Sequence, residues 1–293
     1  MTEAPVIVIK YGGSAMINAA LKQAVVEDLV QLAAGGRRIA LVHGGGPEID
    51  LMLRTAGIAK KVVNGLRYTD AQTMEIVQMV LCGKLNKELC ALIIRQGGSA
   101  IGLSGIDGAL LRARRVTRDA HGQPVDLGLV GEITSVNTAL LNALLRLQPD
   151  AQASADTGSA PYIPVISPAA FAEGEKDSIS LNVNADTAAA KIAGALHASS
   201  LILMTDVPGI MRDVNNEQSI IHNTDLSELA ALEHSGILSG GMIPKVDCCR
   251  LAITAGVGEV RIVDGRQPHA LRKVIAENAK LGTAVMPQNQ NVQ

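Results

Sequence analysis

Lys10 closes the apolar run Val6-Ile7-Val8-Ile9 and is followed at once by Gly12 and Gly13. A charge in that place is costly to bury unless it is paired or turned towards a ligand. Lys245 has a comparable setting in Gly240-Gly241-Met242-Ile243-Pro244-Lys245, and a further glycine turn is His43-Gly44-Gly45-Gly46-Pro47. All three turns lead into helical patterns. Glycine there allows a ligand to approach the backbone closely, and the free N–H groups at a helix start suit phosphate oxygens. Either lysine alone is more often a solvated surface residue; the shared setting is what makes the pair informative. None of the turns has the G-x-x-x-x-G-K-[ST] or G-x-G-x-x-G spacing, so neither a P-loop nor a dinucleotide fingerprint is supported.

Two further segments carry polar groups at useful spacing. Asn182, Asn184 and Asp186 alternate in Asn182-Val183-Asn184-Ala185-Asp186-Thr187. If this stretch is extended, the three side chains point to one side and converge. Asp186 serves equally well as the cap or first-turn charge of the helix that follows. Asn64-Gly65-Leu66-Arg67 places an arginine after a turn, suited to bidentate capture of a carboxylate or to an ordinary surface ion pair.

These residues need elements to position them. Short β-rich runs alternate with helical patterns, the signature of β-α units that build a mainly parallel sheet. Strands are expected at 6–9, 38–42, 100–103, 162–166, 201–204 and 259–263. Helices are expected at 19–34, from Pro47, at 186–198, 226–233, 242–255 and 268–278. A long helix capped by Thr69 or Asp70 runs to Arg95, with Met74, Val77, Val80, Leu81 and Leu85 on one face. Residues 110–133 look like hairpin structure, 148–160 like an exposed polar loop, and the tail after Met286 like a frayed end.

Of the 293 residues 47% are hydrophobic but only 1% aromatic, so the core must be aliphatic, as suits a parallel sheet covered by helices. Lys and Arg number 26 against 28 Asp and Glu, without a block of like charge, which argues against a nucleic-acid partner. No run approaches the roughly 18 apolar residues of a membrane span, and the N-terminus lacks a secretory pattern, so a cytoplasmic protein is expected. Cys82, Cys90, Cys248 and Cys249 form no C-x-x-C pair and read as reduced, buried thiols, with no metal site implied.

Taken together, the segments resemble the amino-acid kinase family, in particular its members that act on N-acetyl-L-glutamate. The resemblance rests on VIKYGGSAM (Val8–Met16), VHGGGPEI (Val42–Ile49), NGLRYTD (Asn64–Asp70), NKEL (Asn86–Leu89) and LGLVGEI (Leu127–Ile133). It continues through NVNADTAA (Asn182–Ala189), LMTDVPGI (Leu203–Ile210), GGMIPKV (Gly240–Val246) and VDGRQPHAL (Val263–Leu271), in family order across almost the whole chain. It implies an open three-layer α/β/α sandwich with one continuous, mainly parallel sheet. Residues 1–178 would form an N-terminal lobe for acetylglutamate and dimerisation, and 179–293 a C-terminal lobe for ATP with Mg2+ held mainly by phosphates.

By the same resemblance, Lys10 and Lys245 neutralise the phosphoryl group in transfer, and Asp186 orients them. Gly12, Gly13 and Gly45 donate N–H groups to its oxygens. Gly45, Gly46, Arg67, Asn182 and Asn184 hold the acidic substrate, while Thr205, Asp206, Gly209, Ile210, Gly241 and Met242 line the nucleotide pocket. A side-chain carboxylate of pKa near 4.3 is already ionised at neutral pH and needs no general base, which agrees with the lack of a catalytic His, Ser or Cys arrangement. The loop 148–160 is longer than the family usually has. The chain starts close to its first strand, whereas arginine-inhibited hexameric members carry an additional N-terminal helix; a homodimer free of arginine feedback is therefore expected. A kinase of aminoadipate derivatives and a non-catalytic effector-binding protein are the alternatives, the second disfavoured because Lys10, Lys245 and Asp186 are all present. That effector-binding protein would partner a nitrogen-regulatory signalling protein, and such a partner is also compatible with catalysis.

Overall fold

Apolar runs too continuous for a sheet with one wet face pack side by side in the centre of the molecule, as parallel strands covered on both faces require. The structure is a computed structural model and describes residues 4–63, 66–119, 122–149, 160–176, 178–238 and 240–288. In chain order it begins β1 (Val6–Tyr11), α1 (Ala19–Ala34), β2 (Arg38–His43), α2 (Gly46–Thr55), β3 (Val62–Val63) and β4 (Leu66–Arg67). It continues α3 (Ala71–Gln78), a π-helical segment (Met79–Leu85), α4 (Asn86–Arg95), β5 (Ala100–Gly105), β6 (Leu111–Arg115), β7 (Gly131–Val136), α5 (Thr138–Arg146) and β8 (Ile163–Ala172). The remainder is β9 (Ser180–Asn182), α6 (Ala185–Ala195), β10 (Ser200–Thr205), β11 (Asn223–Asp225), α7 (Leu226–His234), α8 (Ile243–Thr254), β12 (Val260–Asp264), α9 (Ala270–Ile275) and β13 (Thr283–Met286).

One sheet runs β11-β13-β12-β10-β1-β2-β8-β6-β7, with β5 and β9 also paired to β8. β1, β2, β10 and β12 are mutually parallel where they pair, and in that register Lys10 lies level with Val42 on one side and Leu203 on the other. The carboxyl ends of β1, β2 and β10 therefore open at a single edge, where ligands of open α/β sheets bind. This is the expected mainly parallel sheet. Among the described strands, β12–β13, β6–β7, β8–β9 and the separate β3–β4 pair are antiparallel.

Helix starts follow the side chains that satisfy their free N–H groups. Asn18 caps α1 by accepting from the Leu21 amide at 3.0 Å, and Asp70 caps α3 by accepting from Thr73 at 2.8 Å. The expected face of the long helix, Met74, Val77, Val80, Leu81 and Leu85, is buried throughout. What was not expected is the π-helical segment at Met79–Leu85 in the middle of that helix. Such a segment advances the helix face without ending it.

Other differences have tertiary causes. β8 extends well past the expected 162–166 because β2, β5, β6 and β9 all pair with it. β9, β11 and β13 are too short to show a period, and α5 lies between the expected hairpin and the polar loop, where no element is expected from the sequence. α9 is shorter than the expected 268–278. Residues 150–159 of the polar loop and 289–293 of the tail lie outside the described residues, as do Asn64 and Gly65.

Candidate functional site

At the end of β1 the Lys10 side chain folds over Gly12, where an added Cβ would stand 2.6 Å from Nζ. Nζ meets Asp186 Oδ1 at 2.9 Å, and the two side chains are 12% and 14% exposed. Burial of this degree demands pairing, and the pair points a lysine along the sheet's carboxyl edge.

Asp186 is free to do so because another residue caps the helix. Asn184 Oδ1 accepts from the amides of Asp186 at 2.8 Å and Thr187 at 3.1 Å. The expected convergence of Asn182, Asn184 and Asp186 on one side of an extended segment is corrected here: β9 ends at Asn182 and α6 starts at Ala185, so the alternation is broken. Asn182 Nδ2 instead donates to Thr69 Oγ1 at 3.2 Å, and Thr69 sits two residues from Arg67. Asn184→Ala should lower stability by about 1 kcal/mol. Denaturant titration checks this, and an unchanged midpoint would deny the cap.

Arg67 pairs through Nη2 with Asp50 of α2, while its Nη1 is buried with no hydrogen-bond partner. Asp50 also takes Lys60 at 2.9 Å. Burial pushes the Asp50 carboxyl up, but hydrogen bonds from Lys60 and Arg67 outweigh it and hold the group below the ordinary range. An orphaned guanidinium N–H is expensive in a closed interior and natural in a site awaiting an anion. The Asp50 partnership was not legible beforehand; the Asp lies 17 residues upstream on another element.

The second glycine turn is held from both sides. The Gly44 amide donates to the Tyr11 carbonyl at 2.8 Å, tying the ends of β1 and β2 together. A Cβ on Gly45 would stand 2.5 Å from Leu85 Cδ1 and 2.6 Å from Leu81 Cδ2, so a side chain there would have to displace both leucines of the π-helical segment. Pro47 follows in the first turn of α2.

His43, just before this turn, is fully enclosed, and burial lowers its pKa from 6.5 to about 4. The unfolded chain therefore takes up a proton below 6.5 that the folded chain refuses until about 4. Stability contributed here is present above the first value and lost as pH falls towards the second. The loss is about 1.4 kcal/mol per pH unit, on the order of 3 kcal/mol in all. Relative to His43→Gln, wild-type stability should fall by that order between pH 7 and pH 4; parallel pH profiles would contradict it.

On the far side of the edge, a cavity of about 440 Å³ is lined by Thr205, Asp206, Gly209, Ile210, Gly241, Met242 and Lys245. Every expected nucleotide-pocket residue is among them. Val207, Met211, Val214, Ile237 and Leu238 also line it and were missed. Val214 is an exposed apolar residue in a polar loop, the one local hint available. Gly13 has φ of +73°, and a Cβ there would stand 2.5 Å from Asp206 Oδ1, so the first glycine turn abuts the cavity directly.

Lys245, in the first turn of α8, donates to the Gly241 carbonyl at 3.4 Å. α8 packs on α6, and Cys248 Sγ donates to the Asp186 carbonyl at 3.1 Å. Burial raises the Cys248 thiol well above its ordinary range, and the charges of Lys10 and Lys245 only partly offset this. All four cysteines are free. Among the described residues no cluster of three or more His, Cys, Asp or Glu is disposed to hold a metal ion, and no helix is long and apolar enough to cross a membrane.

A mainly parallel sheet whose carboxyl edge carries Lys10 and two glycine turns, beside a cavity lined by Lys245, is the equipment of a phosphoryl-transfer protein. The chain belongs to the amino acid kinase family, whose model matches residues 5–264. It is 45% identical over 280 residues to the acetylglutamate kinase of Clostridium beijerinckii, covering 96% of this chain and 91% of that one. With the acetylglutamate kinase of a Thermoanaerobacter species it shares 46% over 279 residues, 95% of this chain and 86% of the relative. In fold it resembles N-acetylglutamate synthase from Neisseria gonorrhoeae, with a TM-score of 0.77 at 22% identity, over 96% of this chain and 59% of the other. Carbamate kinase from Giardia lamblia matches with a TM-score of 0.67 at 14% identity, over 98% and 100%.

Proposed function

We propose that this chain transfers the γ-phosphoryl group of ATP to the side-chain carboxylate of N-acetyl-L-glutamate, giving N-acetyl-L-glutamyl 5-phosphate, the second step of arginine biosynthesis. The observation that carries the reading is the largely buried Lys10–Asp186 pair at the carboxyl end of β1, together with the half-partnered guanidinium of Arg67, which Asp50 of α2 holds. The likeness to acetylglutamate kinases over nearly the full chain supports it.

The acceptor carboxylate is a ready nucleophile at neutral pH. The protein's task is to align two anions and neutralise the charge spread over the phosphoryl oxygens. Lys10 and Lys245 supply that charge, Asp186 holds Lys10 in line, and the N–H groups of Gly12, Gly13 and Gly45 meet the oxygens. Arg67 takes a substrate carboxylate through Nη1. Asn182 and Asn184 complete that side with Gly45 and Gly46; the Asn184 oxygen is committed to the cap, so its amide nitrogen is the contributing group.

The cavity beside Gly13 takes ATP. Mg2+ would be held mainly by the nucleotide phosphates, with Asp206 the acidic side chain that lines the cavity beside them. In this proposal residues 1–178 form the acetylglutamate lobe and 179–293 the ATP lobe of one cytoplasmic domain, with Asn182 reaching back to Thr69 across the boundary. The chain acts as a homodimer. In support, Met79 and Ile94 stand 58% and 57% exposed on the helix from Ala71 to Arg95. Light scattering should give twice the chain mass; a monomer or a hexamer would rule the dimer out.

The functional reading is tested by ADP release with N-acetylglutamate, glutamate and 2-aminoadipate offered separately. Release with the acetylated acid alone is expected. Release only with aminoadipate would transfer the mechanism to another substrate.

A further inference from the structure

The turn that carries Gly45 ends a buried polar chain. His43 Nδ1 lies 2.9 Å from the Gly44 carbonyl oxygen, and its Nε2 lies 3.3 Å from Nδ2 of Asn86. Carbonyl oxygens only accept, so Nδ1 bears the proton. Asn86 Nδ2 also lies 2.8 Å from the carbonyl of Val165 and 3.1 Å from that of Leu103, so its two hydrogens are shared among three acceptors and the NH2 end of the amide is the one that faces the unprotonated Nε2. Asn86 Oδ1 accepts from Lys87 Nζ at 3.1 Å. All the partners agree on one neutral tautomer of His43 and one orientation of the Asn86 amide.

Both residues are fully buried, and Asn86 is the first residue after the π-helical segment. The segment thereby serves the turn twice. Leu81 and Leu85 from within it press on Gly45, and Asn86 from its end reaches His43. A buried polar network of this kind often does no more than specify a core. What points further is where it terminates. In a trans peptide the carbonyl and the next N–H face opposite ways, so a Gly44 carbonyl held by His43 turns the Gly45 N–H away from the ring.

We propose that His43 and Asn86 are positioning residues that lock the Gly44–Gly45 peptide so that the Gly45 N–H is presented to the phosphoryl group in transfer. The proposal rests on the functional reading above. Neither residue touches a reactant. Loss of the brace lets the N–H drift, and outer-shell losses of this sort cost on the order of 10- to 100-fold.

The test has two parts. In the wild-type protein labelled with 15N-histidine, NMR at neutral pH should show His43 as the neutral tautomer protonated on Nδ1. A ring protonated on Nε2, or charged, overturns the proposal whatever the activity. In steady-state kinetics with N-acetylglutamate and MgATP, His43→Phe should lower kcat by about 10-fold or more with the KM for ATP little changed. His43→Gln, whose amide can donate to Gly44, should recover part of the loss. A folded His43→Phe protein with reduced thermal stability but wild-type kcat assigns the pair to packing alone and refutes the role. Wild-type protein inactive on N-acetylglutamate would instead refute the functional reading, with the tautomer still deciding whether the brace exists.

Discussion

Lys10→Ala lowers turnover at least about a hundredfold while the protein stays folded, and Lys245→Ala does the same. The magnitude is that of removing one preorganised donor from developing charge, about 3 to 4 kcal/mol. The two differ in what they leave behind. Lys245 lies at the cavity and bonds only weakly to the Gly241 carbonyl, so its loss subtracts a charge and little else. Removing Lys10 also strips Asp186 of its partner at 2.9 Å and leaves a largely enclosed carboxylate facing incoming phosphates. An uncompensated anion there opposes nucleotide binding as well as chemistry. The Lys10→Ala, Asp186→Ala double variant should therefore be no worse than the sum of its parts predicts, and better in ATP binding than Lys10→Ala alone. Circular dichroism establishes the fold, and steady-state kinetics with both substrates varied gives the split. Near-normal turnover in either lysine variant removes that lysine from the mechanism.

Arg67→Ala raises the KM for N-acetylglutamate by about a hundredfold and leaves the KM for ATP within about twofold. Truncating one member of a desolvated charge pair costs roughly 2 to 5 kcal/mol, and Arg67 presents a buried Nη1 with no partner of its own. Its other nitrogen is held by Asp50, which Lys60 also holds, so the guanidinium is fixed in direction before substrate arrives. Preorganisation of this kind concentrates the loss in substrate binding rather than in the phosphoryl-transfer step. Lysine at 67 keeps the charge without the planar fork and should restore only part of the affinity. Equal losses for both substrates would mean that Arg67 supports the fold rather than the acid.

Much of this arrangement is legible in sequence because it is local. Lys10 at the end of an apolar run, Gly12 and Gly13 after it, and Gly44 to Gly46 before Pro47 each declare a strand end opening towards a helix. The face Met74, Val77, Val80, Leu81 and Leu85 declares itself by period. What stays hidden depends on contacts distant in the chain. Nothing near Asn182-Val183-Asn184-Ala185-Asp186 says that Asn184 takes the cap, Asp186 pairs with Lys10 and Asn182 reaches Thr69. The π-helical segment leaves no mark in a helix whose buried face is otherwise regular, although it decides that Leu81 and Leu85 reach Gly45. Asp50, Ile237 and Leu238 have ordinary local settings and gain their roles only through packing. His43 and Asn86 fall within motifs that resemble the family, yet their hydrogen bonds to each other, to Leu103 and to Val165 come from tertiary structure alone.

The central claim is that a new acyl–phosphate bond forms on N-acetylglutamate. ADP release alone does not prove this, because a wasteful ATPase also releases ADP. The direct measurement is to incubate the purified protein with MgATP and N-acetyl-L-glutamate in hydroxylamine, which converts an acyl phosphate to a stable hydroxamate, and to identify the product by mass. N-acetylglutamyl hydroxamate formed in step with ADP, and absent from Lys10→Ala, is the predicted result; ADP without hydroxamate, or neither product from folded wild-type protein, contradicts the account.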